Sequence, residues 1–228
     1  MLDDEPTAAG PQDEDPWTQR YYPRGTQGFE RVVLFSDAVY AISLTLIAVQ
    51  LVLPAITSLS QGTATAPEVI SAGMSNVIAY AFTFTWVAFY WKANHRFTLT
   101  LRRMNDLYIW AVLVYLGFIA LLPFPASVLG EAWNPLALAF FFGYMACVSF
   151  LEVVLMLIAF RADLYVRQLT PSQQRRWVLP SLAPVVGALL SIPVCFIPVV
   201  GGYLAIATMV GVSMGLGVLF GRLYPVQL

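Results

Sequence analysis

Six stretches of about twenty or more mostly apolar residues dominate this chain, each long enough to cross the hydrocarbon core of a bilayer as a helix. They lie over 31–54, 69–92, 107–129, 135–160, 178–199 and 201–222. Lipid offers no partner to a backbone N–H or C=O, so segments of this kind must satisfy those groups internally, and helices do so. Composition points the same way. Of 228 residues 59% are hydrophobic and 11% charged, where a soluble domain carries about a quarter charged; mean hydropathy is +0.72. The expected fold is an all-α membrane protein of six transmembrane helices occupying residues 29–228. Pro198 and the pair Gly201-Gly202 leave little between the last two spans, which predicts a tight helical hairpin.

Residues 1–28 read differently. They are acidic, with Asp3, Asp4, Glu5, Asp13, Glu14 and Asp15, and rich in Pro, Gly, Thr and Gln. That composition predicts a disordered tail, and without a cationic start or apolar core it is not a signal peptide. Trp17, Tyr21, Tyr22, Arg20 and Arg24 suit an approach to the membrane surface. With six spans, the tail, the 93–106 and 161–177 loops and the C-terminus share one side. Together with the adjoining helix ends they hold Arg20, Arg24, Arg31, Lys92, Arg96, Arg102, Arg103, Arg161, Arg167, Arg175, Arg176 and Arg222, which are all twelve basic residues. The positive-inside rule then puts both termini in the cytoplasm of a multi-pass protein of the cell (plasma) membrane. No repeat of three plus three helices stands out, so a transporter of two pseudo-symmetric halves is not favoured.

Catalysis has little to draw on. His95 is the single histidine, Glu131 stands alone on the outer side, and no phosphate-binding glycine loop occurs. Cys147 and Cys195 sit inside apolar runs without metal-ligand spacing and read as two small buried hydrophobes. No enzyme activity, cofactor or nucleic-acid partner is expected. Glu152 is the exception to an otherwise apolar fourth span; a carboxyl at that depth needs a partner out of sight or a proton, and is a candidate for a proton- or ion-linked role.

The first span is the one flecked with polar groups: Arg31, Ser36, Asp37, Thr45 and Gln50. At about 100° per residue, Val39, Ile42, Leu46, Val49 and Leu53 form one stripe. Asp37 lies about 140° from Ile42, towards neighbouring helices, and Thr45 about 60° away. Such a stripe serves lipid contact or core packing in most helices; it also suits a pore lined by branched aliphatics that gates by dewetting. Arg31 falls only about 20° from Ile42 on the wheel. Facing a pore it would repel cations, so a partner or a bend is expected there.

The run RVVLFSDAVYAISLTL, with Arg31-x-x-x-Phe35-Ser36-Asp37 at its start, resembles the R-x-x-x-F-S-D signature of the transmembrane protein 175 family, the endolysosomal potassium channel and its bacterial relatives. Trp91 and His95 at the end of the second span and Leu121-Leu122-Pro123-Phe124-Pro125 in the third add to the likeness, which covers residues 31–128. The resemblance implies a cation channel without a TVGYG filter, and no such run occurs here. It implies a homotetramer of the bacterial type, one six-helix unit per chain, with the first helices lining the pore. The isoleucine five residues after the motif aspartate is then the hydrophobic constriction: here Ile42, with Leu46 and Val49 as the next rings outward. Arg31, Ser36 and Asp37 become a helix-packing network with Trp91 and His95. Asn94-His95 departs from the double histidine of many relatives, and Val112 stands where a polar residue is expected.

The function expected on this basis is passive potassium conduction through a pore that offers the ion no fixed side-chain ligands, with Thr45 a candidate for tuning selectivity. The alternative from another class is a proton-coupled secondary transporter, or a proton leak, using Glu152 or Asp37.

Overall fold

The structure, a computed structural model, describes residues 21–49, 61, 66–166 and 171–223. The acidic residues of the tail and the end of the first expected span, Gln50 to Pro54, lie outside the described residues. Among the described residues seven helices and two strands follow in order: β1 (Tyr21–Pro23), α1 (Gln27–Val49), α2 (Ala66–Thr98), β2 (Arg103–Asn105), α3 (Asp106–Leu121), α4 (Pro123–Glu131), α5 (Pro135–Arg161), α6 (Pro171–Val194) and α7 (Gly201–Leu223). By length and composition α1, α3 continued by α4, α5, residues 173–194 of α6 and residues 201–220 of α7 can each cross a membrane. The second expected span lies within α2, whose 33 residues extend roughly 50 Å, more than a bilayer core of about 30 Å. Its Lys92–Thr98 end therefore projects past the apolar zone.

Helix boundaries follow local chemistry. The Asn105 side chain accepts from the Tyr108 N–H at 2.9 Å and the Asn134 side chain from the Ala137 N–H at 2.9 Å, each filling a donor that the first turn leaves open. Pro135 follows Asn134 at the first helical position, where a missing N–H costs nothing. The third expected span, 107–129, is divided at Leu122. Pro123 has no N–H to give to the Ile119 carbonyl, so α3 ends and α4 begins, while Leu122 keeps helical angles, φ −54° and ψ −33°, and the course of the chain continues.

The helices pack in series. α1 lies against α2 and α3, α3 against α5, α5 against α6, and α6 against α7. Phe82 of α2, partly buried, meets the fully buried Phe141 and Phe142 of α5 at 5.8 and 6.1 Å between ring centroids. α6 and α7 pack through small residues, as helices do where apolar lipid gives no hydrophobic drive: Ala183, Ala188 and Ala205 are fully covered, and the Ser191 hydroxyl reaches the Ala205 carbonyl across the interface at 2.9 Å. A Cβ on Gly187 would stand 2.5 Å from Ser213 Oγ and 3.0 Å from the Met209 carbonyl. Gly187→Val is therefore expected to wedge the pair apart at a cost of about 1–3 kcal/mol, read as a lower midpoint of thermal unfolding in detergent; an unchanged midpoint would count against this packing.

The predicted hairpin between the last two spans is present over residues 195–200, with the Gly201 N–H on the Ile197 carbonyl at 3.0 Å. Val199 takes a left-handed φ of 67° at its tip. A Cβ on Gly201 would meet the Cys195 carbonyl at 2.7 Å, so the closing position is restricted to glycine.

Two departures from the sequence reading concern the basic end. Residues 21–28, assigned there to the tail, form β1 and the first turn of α1. β1 pairs antiparallel with β2, Tyr22 opposite Met104, so the fold is mostly rather than wholly helical. The Arg24 N–H continues the ladder onto the Arg102 carbonyl at 2.8 Å, and Arg102 and Val166 tie the 99–105 and 162–166 loops together. Arg102 also pairs with Asp163 at 2.7 Å, and the Arg103 guanidinium sits 4.0 Å from the Tyr21 ring centroid. Extended backbone appears here because the segments leave their helices and must pair somewhere. Cys195 is buried as expected, whereas Cys147 is exposed. The outer face of α5 is as apolar as its inner one, so hydropathy did not distinguish them.

Candidate functional site: the outer face of α1

The inner face of α1 carries Phe29, Ser36, Tyr40, Ser43 and Ile47, all buried, at spacings of three, four and seven that return to one side of a helix. Two of them reach α3. The Tyr40 and Tyr115 hydroxyls lie 2.8 Å apart. The Ser43 hydroxyl donates to the Ile119 carbonyl at 2.8 Å, the same carbonyl that Pro123 leaves short of its usual helical donor. The Ser36 hydroxyl turns back onto the Val32 carbonyl of its own helix at 2.8 Å. Every polar group on this face is thereby answered, as burial requires.

The opposite face is free. Arg31, Leu34, Phe35, Ala38, Ala41, Ile42, Thr45, Leu46 and Val49 are exposed along its whole length. Ile42, Leu46 and Val49 remain 57%, 46% and 62% exposed, more than the inner face of any packed helix allows. Val39, at the edge of the expected stripe, is half-buried, and Leu53 lies outside the described residues. The Thr45 hydroxyl donates to the Ile42 carbonyl at 2.8 Å. It keeps its oxygen lone pairs but has spent its proton within the helix.

At the basic end, the Trp91 indole N–H donates to Asp37 Oδ1 at 2.9 Å, and the Trp91 ring stacks on His95 with centroids 5.4 Å apart and planes inclined 19°. The wheel placed Asp37 towards a neighbouring helix, and α2 is that helix. Three of the five residues expected in one network thus meet: Asp37, Trp91 and His95. Ser36 bonds elsewhere, and Arg31 is exposed without an ion pair among the described residues. Trp91→Phe preserves the stack and removes the donor to a charged acceptor. Because the pair is half-exposed, the expected loss is about 1 kcal/mol, measured as a small drop in unfolding midpoint that Asp37→Asn reproduces without adding to it.

Glu152 is buried in α5, with Oε1 lacking a hydrogen-bond partner among the described residues. It lines a cavity to which no residue of α1 contributes. Val112, where a polar residue was expected, is buried in the core. Among the described residues no cluster of three or more His, Cys, Asp or Glu could hold a metal ion.

Reading spacing alone missed the α1–α3 bonds and the contact of the Tyr90 hydroxyl with Ser149 Oγ at 2.7 Å. One signal was available. A proline four residues after Ile119 removes that carbonyl's usual helical donor, leaving it the Leu122 N–H at 3.2 Å and room for a second, and Tyr40, Ser43 and Ile47 form a second face of α1 opposite the aliphatic one.

A helical membrane protein whose first helix is bonded to its bundle on one side and bare on the other is the class of molecule these features define. Comparison then supplies relatives. Residues 31–123 match the family described as endosomal/lysosomal potassium channel TMEM175. A potassium channel of a Chryseobacterium species (strain P1-3) is 30% identical over 110 residues, 47% of this chain and 53% of that one; the chain thus spans about half the length of that curated relative. The crystal structure of a lysosomal potassium-selective channel TMEM175 homologue from Chamaesiphon minutus shares the fold, with TM-score 0.64 at 16% identity over 88% of this chain and 100% of that one. Over residues 31–123 the chain is thus similar to the TMEM175 family.

Proposed function

We propose that this chain is the subunit of a potassium-permeable cation channel, a homotetramer in which four copies of α1 turn their free faces to a common axis. The observation that carries this reading is the division of α1 into a face bonded to α3 and a face of exposed aliphatic side chains along 31–49. A pore needs such a helix: anchored behind, bare in front. Ile42 forms the narrowest ring, with Leu46 and Val49 beyond it, and potassium passes without fixed side-chain ligands when the ring is wetted. Thr45 flanks the ring and offers a lone pair rather than a coordination site, so selectivity over sodium is modest. Both termini face the cytoplasm of the plasma membrane, where the Arg and Lys side chains collect.

Potassium and sodium flux into liposomes holding the purified chain tests this. Potassium-preferring flux that rises linearly with gradient supports a channel; no flux, or none that distinguishes wild type from pore-face variants, rejects it. Glu152, whose Oε1 has no hydrogen-bond partner among the described residues, favours one rival, a proton-coupled transporter. It requires flux that saturates and is abolished in Glu152→Gln, whereas the channel reading leaves passive conduction in that variant.

A further inference from the structure

A second site lies away from the α1 face. Between α2, α5, α6 and α7 is a cavity of about 400 Å³, within the range that holds a drug-sized ligand. Its inner part is rich in acceptors. Glu152 of α5 and Ser213 of α7 are 7% and 9% exposed, both line the cavity, and Glu152 Oε1 and Ser213 Oγ have no hydrogen-bond partner among the described residues. Pro180 lines it too, and Pro184, four residues on within α6, has no N–H to give to the Pro180 carbonyl. A buried carboxyl and a buried hydroxyl gathered from two helices, beside a proline pair in a third, call for a ligand that brings hydrogen-bond donors, and an ammonium brings three.

The rim has the opposite character. Lys92 and Arg96 line the same cavity from α2, one helical turn apart. Both are exposed, and neither is in an ion pair among the described residues. Two adjacent cations suit a phosphate. Between rim and floor the walls are apolar: Trp86, Phe89 and Met214, with Phe89 and Met214 56% and 66% exposed, so the cavity also opens sideways. The Trp86 ring is a favourable surface for an ammonium. A plain anion would meet Glu152 and a plain cation would have to pass Lys92 and Arg96. A zwitterion answers both ends.

We propose that this cavity binds a phosphoethanolamine group, its ammonium on Glu152 and Ser213 and its phosphate between Lys92 and Arg96. The apolar walls and sideways opening indicate that it is carried by a phospholipid whose glycerol and first methylenes lie along Phe89 and Met214. The inference is independent of the conduction path.

Purified full-length protein in detergent, titrated with short-chain phosphatidylethanolamine, short-chain phosphatidylglycerol or free phosphoethanolamine, tests it by native mass spectrometry and thermal unfolding. Wild type is expected to retain phosphatidylethanolamine about tenfold better than phosphatidylglycerol and to unfold at a higher temperature with it. Glu152→Gln loses that preference. The exposed double variant Lys92→Gln, Arg96→Gln, which folds even if Glu152→Gln does not, weakens both lipids. A free phosphoethanolamine effect equal to that of the lipid makes a soluble zwitterion the occupant, keeping the site and its chemistry. Equal retention of the two lipids by wild type, or a preference that survives in Glu152→Gln, overturns the proposal.

Discussion

Asparagine in place of Ile42 is expected to raise potassium flux into liposomes about tenfold or more, the equivalent of removing roughly 1.4 kcal/mol or more from the barrier. A ring of branched aliphatic side chains excludes water because it offers no hydrogen bonds, and an ion that must cross it sheds hydration without compensation. One carboxamide per subunit supplies both donor and acceptor at that level and lets water stay. Ile42 is suited to report on this because it is 57% exposed and makes no hydrogen bond that the change would break. Its neighbours on the inner face, Ser43 and Tyr40, hold the helix in place whatever stands at 42. Ile42→Leu, of the same volume, should leave flux near wild type. Unchanged flux in Ile42→Asn would place the constriction elsewhere and remove the main support for the α1-lined pore.

Tyr115→Ala is expected to cost about 3–5 kcal/mol of stability, the largest loss among the substitutions considered. Tyr115 is 1% exposed and fully enclosed between α1 and α5, so neither lipid nor water moves in to replace its ring. The change also strands the Tyr40 hydroxyl, whose partner at 2.8 Å disappears. Tyr115→Phe isolates that second effect. It keeps the ring and is expected to cost about 1–3 kcal/mol for the orphaned hydroxyl. Adding Tyr40→Phe should recover most of this, because removing both partners leaves nothing unsatisfied. Chemical or thermal unfolding of the four proteins checks the cycle; additive losses would show that the two hydroxyls are not coupled.

The mostly helical, membrane-spanning character of the chain was legible because lipid imposes one rule on every segment. Apolar length therefore read as helix over 135–160 and 201–222, while it carried 178–199 past the end of α6 at Val194 and did not show the break at Leu122 within 107–129. The aliphatic stripe on α1 was legible for the same reason, since a face bearing Ile42, Leu46 and Val49 at three- and four-residue spacing can only lie on one side. What hydropathy could not show is which side of an apolar helix is packed. Cys147 and Cys195 stand in equally apolar runs, one outward and one inward. Ser43 reads as an isolated hydroxyl until the chain folds and brings the Ile119 carbonyl to it across 76 residues. The strands at 21–23 and 103–105 were hidden because each is three residues long and depends on a partner far away in sequence. The wheel turned Asp37 towards a neighbour and the resemblance implied Trp91 as its partner; spacing alone could not name it, because the contact depends on the rotation of α2.

The pairing of β1 with β2 has a mechanical consequence. Pro23 is fixed opposite Arg103 and α1 begins at Gln27, so only three residues link an anchored strand to the helix. Tyr40 and Ser43 pin the same helix against α3 further along, and Trp91 holds Asp37 from α2. A rod gripped at its root and at two heights on different sides has no freedom to slide along its axis or to turn about it. In the proposed tetramer, widening at the level of Ile42 would then fall to rotameric rearrangement of the ring side chains, or to whole subunits tilting as rigid bodies that carry α2 and α3 along with α1.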